Sequence, residues 1–138
     1  MMKRAIAAAL VVGLIAGSAY ACSCIAPGPP KESLEKAHAV FSGKVTKIEK
    51  VGDFQIAVTL DVEAAWKGID KNEVVLYTAN DGAACGYGFE KEKTYLIYAY
   101  QTKRGEEKQL ETNICTRTRL LAEAKEDLKE LGEGKRVK

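Results

Sequence analysis

The sequence predicts a mainly β domain. The expected form is a small five-stranded Greek-key barrel of the oligonucleotide/oligosaccharide-binding (OB) type, with a short N-terminal helix and a C-terminal helix. Three observations carry this. Five segments have the alternation or the β-branched and aromatic composition of strands. Only two segments have helical character, one before the strands and one after them. Glycine-rich or charged turns separate the strand segments. Strand number and chain size fit such a barrel, although composition taken alone admits a sandwich as well.

The chain opens on Met1-Met2-Lys3-Arg4, a short basic start, followed by an apolar run from Ala5 to Gly17. Ala19-Tyr20-Ala21 puts small residues at the two positions a signal peptidase reads, so residues 1–21 are expected to be a cleaved secretory signal. The run is shorter than the roughly 20 residues a membrane helix needs, and no later segment is long and apolar enough to be one. Cleavage leaves residues 22–138, a single domain by length. The leader holds two of the 21 Lys and Arg, Lys3 and Arg4, and none of the 19 acids. The exported part therefore balances 19 basic against 19 acidic residues. A nucleic-acid binder carries a basic excess, so nucleic acid is not an expected partner.

After the rigid Gly28-Pro29-Pro30, Lys31 to Ala37 predicts a short helix. Ala39 to Lys50 alternates from Val40 onward. Val51-Gly52-Asp53-Phe54 is a turn, and Phe54 to Trp66 keeps a period of two through Ile56, Val58, Leu60 and Val62. Together these predict a long hairpin with one buried face. "KGIDKNE" is turn-like and Val74 to Ala79 is a strand. Asn80 to Gly88, with three glycines, is a loop. Lys93 to Gln101 is a strand with Leu96, Tyr98 and Tyr100 on one face and Tyr95, Ile97 and Ala99 on the other. Residues 102–108 turn the chain, and Gln109 to Cys115 is the next strand. From Thr118 an amphipathic helix is expected, with the stripe Leu121, Ala124, Leu128 and Leu131 and a stop at Gly132. The tail "EGKRVK" is expected to fray.

All four cysteines, Cys22, Cys24, Cys85 and Cys115, lie in the exported part. An even count in a small exported chain predicts two disulfides. Pairing Cys22 with Cys24 would close a strained, tiny ring. That leaves two pairings, each tying the N-terminus to the middle and to the end of the chain. Such long loops stabilise by about 4 kcal/mol per bridge through loop-closure entropy.

No enzyme is expected. The single histidine, His38, stands at the approach to a strand, and no second histidine completes a zinc triad. The carboxylates Glu90, Glu92, Glu106 and Glu107 are expected in turns and on a helix face, as solvated surface charges. "CGYG" leads into another strand rather than a helix, unlike a phosphate loop. Trp66 and the tyrosines Tyr95, Tyr98 and Tyr100 are expected to pack.

"CSC" directly behind the cleavage site asks for more than two staples. A lipid anchor needs an aliphatic residue three before the cysteine and a small residue next, and those places hold Ala19 and the bulky, poorly fitting Tyr20. A soft-metal site needs free thiolates. A mature chain that begins on Cys22 has a free α-amine, and that amine and the Cys22 carbonyl oxygen form a five-membered chelate with a metal. With an α-amino pKa of about 7.7 to 8.0, a useful neutral fraction exists near pH 7. A terminus held rigid by Cys22 and Cys24 loses little entropy on binding. A zinc protease leaves one coordination position for water, which such a terminus can take.

These residues resemble the inhibitory N-terminal domain of the tissue inhibitors of metalloproteinases, within the netrin-like group. "CSC" stands at the mature start and "AHAVFSGKV" (residues 37–45) looks like the first strand of that family. "AAWKG", "LYTAND", "AACGYG", "KTYLIYA" and "LETNIC" follow in the family's order. The resemblance implies a five-stranded barrel with helices packed on it, and the pairings Cys22 with Cys85 and Cys24 with Cys115. It implies that Cys22 chelates the zinc of a target protease and that Ser23 points into the primed-side specificity pocket. Ala83 and Ala84 would lie beside Ser23 and fill non-primed subsites. The expected inhibitory wedge is thus Cys22-Ser23-Cys24-Ile25 with Ala83-Ala84, and the expected partner is a zinc metalloprotease that supplies the only metal. The family's third bridge is missing here, with Glu35 near one of its positions and no cysteine after Cys115. The proline after "CSC" is displaced to Pro27, and the first hairpin turn is short. The expected protein is a secreted or periplasmic, cell-envelope inhibitor without a cofactor of its own. The alternative is a non-inhibitory exported netrin-like module that binds another protein, with a lipid anchor at Cys22 as one form of it.

Overall fold

Pro29 and Pro30 convert an extended leader into the first helix, α1 (Pro30–Lys36), with proline at its first position, where no N–H is needed. The computed structural model describes residues 22–137; the secretory leader expected at residues 1–21 lies outside them. At the other end of α1 the Lys67 ammonium donates to the carbonyls of Leu34 and Glu35, at 3.1 and 2.9 Å, and so satisfies part of the helix's open C-terminus.

The long hairpin forms as the alternation predicts. β1 (Ala39–Val51) and β2 (Gln55–Lys67) pair from Val40–Lys67 out to Val51–Gln55. A three-residue turn closes it, with Gly52 at φ +61°. Register shifts at three places along β1 bend it. Gly43 sits at one of them, where a β-carbon would lie 3.0 Å from the Asp61 carbonyl oxygen.

β3 (Glu73–Ala79) adds to the free edge of β2. β4 (Thr94–Arg104) and β5 (Glu107–Glu111) form a second hairpin, tighter than expected, turning on Gly105 and Glu106. β5 runs parallel to β3, and β4 pairs with the first half of β1 over Ala39–Lys44. The pairings therefore run β1-β2-β3-β5-β4 and return to β1. With β6 (Arg119–Leu120) on β4 and β7 (Lys135–Arg136) on β2, the sheet is a mixed one of seven strands.

Two apolar clusters follow from the two faces of β1 and β4. Phe41, Val45, Val58, Leu60, Leu76, Tyr95 and Ile97 make the larger one. The rings of Tyr87, Phe89 and Tyr95 close one part of it, with centroids 4.6 to 5.8 Å apart. On the opposite face Val40, Leu96 and Tyr98 meet α1 and α2 (Lys125–Leu131) through Leu34, Leu121, Ala124, Leu128 and Leu131. That is the apolar stripe the sequence predicts, and Gly132 ends it at φ +72°.

Three segments depart from expectation. The last helix starts at Lys125 rather than Thr118. The hydroxyl of buried Thr118 accepts from the Tyr98 N–H, which holds that part of the chain against β4. A single 3-10 turn (Leu121–Glu123) then leads into α2. The strand expected through Cys115 ends at Glu111. The Thr112 hydroxyl donates to the Tyr98 carbonyl, and the Asn113 side chain accepts from the Cys115 N–H, so residues 112–116 turn instead. The tail does not fray over Lys135–Arg136, because Gly134 lies against the Trp66 indole and the indole N–H donates to the Gly132 carbonyl at 2.9 Å. No helix among the described residues is long and apolar enough to cross a membrane.

Candidate functional site

The segment Cys22–Ile25 has no regular structure and is held by covalent bonds. Cys22 is bonded to Cys85 and Cys24 to Cys115, with Cα atoms 5.1 Å apart in each pair. These are the partners the family resemblance implies. The bridges lie side by side, and all four sulfurs fall within 4.8 Å of one another. Two bridges to two parts of the fold leave Ser23 between them, exposed, with Ile25 beyond at 92% exposure.

The loop that receives the first bridge is itself built tightly. Asp81 accepts from the Ala84 N–H through its carboxylate, at 2.8 Å, and from the Gly86 N–H through its carbonyl, at 2.9 Å. The Cys85 N–H donates to the Gly82 carbonyl, and the Cys85 carbonyl accepts from Ile114. Cys85 takes φ +64°, which only the surrounding turn makes tolerable for a residue with a side chain. Gly86 has no substitute here: a β-carbon would come within 2.1 Å of the Ala79 carbonyl oxygen. The result presents Ala83 and Ala84, both exposed, next to the bridged Cys85.

Behind the segment, Arg117 anchors the leader to the body. Its guanidinium donates to Asp127 twice, Nε to Oδ2 at 2.7 Å and Nη2 to Oδ1 at 2.9 Å, and Nη1 donates to the Gly28 carbonyl at 3.3 Å. The Ser33 hydroxyl donates to the same carbonyl. Asp127 is wholly buried, and the Tyr98 hydroxyl donates to it at 2.7 Å. Burial pushes the Asp127 carboxyl up, but the hydrogen bonds from Arg117 and Tyr98 outweigh it and hold the group below its ordinary value of 3.8. Burial, and then the bond to Asp127, raise the Tyr98 phenol. A depressed carboxylate stabilises the fold above its unfolded value and loses that contribution as pH falls through the folded value. Thermal unfolding at pH 6 and pH 3 should therefore show a drop in midpoint at acid pH that is smaller in Asp127→Asn than in the native protein. An equal drop in both would remove Asp127 from the acid response.

Six large apolar side chains are exposed among the described residues: Ile25, Val51, Phe54, Val75, Tyr100 and Ile114. Val51, Phe54 and Tyr100 border one cleft together with Ala84 of the bridged loop. Ile25 and Ile114 flank the Cys24–Cys115 bridge. Asn113 donates to the Tyr100 hydroxyl, and the Phe54 carbonyl accepts from Asn80 at the start of the bridged loop. Between the hairpin turn and this loop lies an open cleft of about 480 Å³, bordered by Val51, Phe54, Ala84, Tyr100 and Asn113. Its polar side is Glu111, which accepts from Gln55 and from Thr102 and pairs with Arg104.

The six residues of the expected wedge thus divide. Cys22 and Cys24 are the anchors, and Ser23, Ile25, Ala83 and Ala84 are the exposed contacts. The sequence did not single out Arg117 and Asp127, because a charged residue in a loop or on a helix reads as surface until its burial is seen. It also passed over Phe54, whose signal was available: a large aromatic inside a Gly-Asp turn has no neighbouring core to enter. His38 is exposed, and among the described residues the only group of three or more metal-ligating side chains is the four cysteines. No protein-family model matches this chain, and a search of the curated proteins finds none that matches it.

Proposed function

We propose that the protein is an exported inhibitor of zinc metalloproteases, a netrin-like domain on an OB-type barrel, acting through Cys22. The barrel reading draws on the closed order of pairings, β1-β2-β3-β5-β4-β1, with β3 and β5 parallel. The observation that carries the inhibitor reading is the doubly bridged Cys22-Ser23-Cys24, with Ile25 and Ile114 exposed next to bridged cysteines and Val51, Phe54 and Tyr100 exposed around the cleft that Ala84 also borders. Exposed apolar side chains that cluster mark a protein-binding surface.

With the leader removed after Ala21, the Cys22 α-amine and carbonyl form a five-membered chelate on the partner's zinc and take the place of its water. The amine binds in its neutral form, about a tenth to a sixth of the population at pH 7. The two bridges hold the chelating atoms before binding, so little ordering entropy is lost. Ser23 enters the adjoining specificity pocket, and Ala83-Ala84 lie along the other side. Ile25, Ile114 and Phe54 cover the rim.

The test compares the mature protein with a form carrying one extra alanine before Cys22, against a panel of zinc endopeptidases. The extension should weaken inhibition at least tenfold, because it turns the amine into an amide. Phe54→Asp should weaken it severalfold without changing the unfolding midpoint. Equal inhibition by native and extended forms would overturn the chelating mechanism. Loss of binding with Phe54→Asp alone would favour a docking module that does not use its terminus.

A further inference from the structure

The four sulfurs have a second use that the inhibitor reading does not require. We infer that in the reduced protein Cys22, Cys24, Cys85 and Cys115 bind one zinc-class divalent ion as a four-thiolate site, which replaces the two disulfides as the clamp on the N-terminal segment. The four sulfurs already lie within 4.8 Å of one another, and Cys85 and Cys115, which are not bonded together, have theirs 4.0 Å apart. A tetrahedral site with metal–sulfur bonds of about 2.3 Å has sulfur–sulfur edges of about 3.8 Å. The bonded pairs must open to that distance and the others close by up to about 1 Å, a movement that side-chain rotation supplies. The set contains sulfur alone, which suits a soft or borderline ion such as zinc and disfavours magnesium or calcium.

The backbone that presents two of these sulfurs, those of Cys85 and Cys115, does not depend on the bridges, and the segment that carries Cys22 and Cys24 stays tethered at Gly28. Cys85 is placed by its turn, through the Gly82 and Ile114 hydrogen bonds. Cys115 is placed by Asn113, at 2.8 Å. The leader is held at Gly28 by Arg117 and Ser33. Cys24 is exposed and the other three are half-buried, so an ion has a way in from solvent.

The chemistry balances. A dithiol reductant breaks each S–S bond, delivers two electrons and two protons, and closes to its own disulfide. Four thiols result. Binding of the ion then forms four metal–sulfur bonds and releases four protons to solvent. A disulfide oxidant reverses this: two of its S–S bonds accept the four electrons and take up four protons to become thiols, both bridges re-form and the ion is released. Bridges and metal are mutually exclusive, so the redox state of the surroundings decides which one fastens the segment.

The test reduces the protein with a phosphine, exchanges it anaerobically into reductant-free buffer and titrates it with Co²⁺ as the probe. The expected result is a thiolate-to-cobalt band in the near ultraviolet with tetrahedral d–d bands, saturating at one equivalent and abolished by one equivalent of Zn²⁺. Cys24→Ser and Cys115→Ser should each weaken cobalt binding at least tenfold, and the oxidised protein should give no such bands. Far-ultraviolet circular dichroism is read alongside, and the cobalt form should keep or regain the native β signal. Absence of tetrahedral bands, saturation at half an equivalent, Ser variants that bind as the native chain does, or a reduced chain that stays unfolded with metal would each overturn the proposal.

Discussion

Arg117→Ala should destabilise the protein by about 3–5 kcal/mol at neutral pH, the usual cost of breaking a buried ion pair from one side. Asp127 is fully buried, and Arg117 provides two of its hydrogen bonds. Without them the carboxylate keeps the Tyr98 hydroxyl as its donor, and the Arg119 guanidinium stands 4.0 Å away. The sign of the pH dependence then reverses at this residue. In the native protein the carboxyl is held low and contributes stability above 3.8. In the variant, burial acts with much less opposition and raises the folded value, so the group is destabilising at neutral pH and that penalty fades as pH falls. The difference between the two proteins should be largest near pH 7 and shrink toward pH 3. Urea unfolding across that range measures it. The double variant Arg117→Ala, Asp127→Ala should cost less than the sum of the single changes, since no charge is left unpaired. Additive losses would show that the pair is not coupled. The Arg117 variant should also loosen the leader at Gly28, and with it the approach to Cys22 and Cys24.

Removing the second bridge should have an effect of similar size by a different route. Cys24 and Cys115 are 91 residues apart in sequence, but with Cys22–Cys85 intact the path between them runs through that bridge, 2 residues on one side and 30 on the other, and opening a loop of that size releases about 4 kcal/mol of unfolded-state entropy. Cys24→Ser with Cys115→Ser, leaving Cys22–Cys85 intact, should lower the melting temperature by roughly 15–20 °C for a domain of this size. Native-state hydrogen bonds around Asn113 and Thr116 do not pass through the sulfurs, so the β signal at room temperature should be retained. The same variant frees the Ser23–Ile25 end of the segment while Cys22 stays tied to the loop. On the proposed inhibitory mechanism, inhibition of a target protease should weaken by an order of magnitude or more, because the chelating end would then have to be ordered on binding. A melting point within a few degrees of the native value would remove the loop-entropy account.

The legibility of the chain varied with the kind of signal. The first hairpin, β3 and β4 were readable because their side chains alternate, and alternation reports which face is buried whatever the partner is. The stripe Leu121, Ala124, Leu128 and Leu131 was readable for the same reason at helical spacing, although the helix itself is shorter. What the pattern missed was decided by single side chains reaching across the fold. Thr118 bonds to the backbone of Tyr98 and turns the expected start of the helix into a strand partner. Thr112 and Asn113 end β5 four residues early. Trp66 gives the tail something to lie on. None of these contacts leaves a periodic trace, because each involves one residue at a distance.

The site divides the same way. Ser23 held between two cysteines, and the cysteine count itself, are properties of the sequence: spacing forbids Cys22 from pairing with Cys24 in comfort, and an even number must be matched elsewhere. Ala83 and Ala84 beside Cys85 are named through the family resemblance, and their exposure is seen only in the fold. The meeting of Val51 and Phe54 with Tyr100 and Ala84 around one cleft could not be read from the order of residues, because the first hairpin turn, β4 and the bridged loop are three separate places in the chain that only the fold brings together. Nor could the proximity of four sulfurs to one another. By itself the sequence determined a β domain with two faces to bury and a terminus to fasten, since local periodicity and covalent possibilities are written residue by residue. The tertiary structure alone decided which charges are buried, where the open apolar surface lies and how the fastening is built, since these depend on distances between segments that no local pattern encodes.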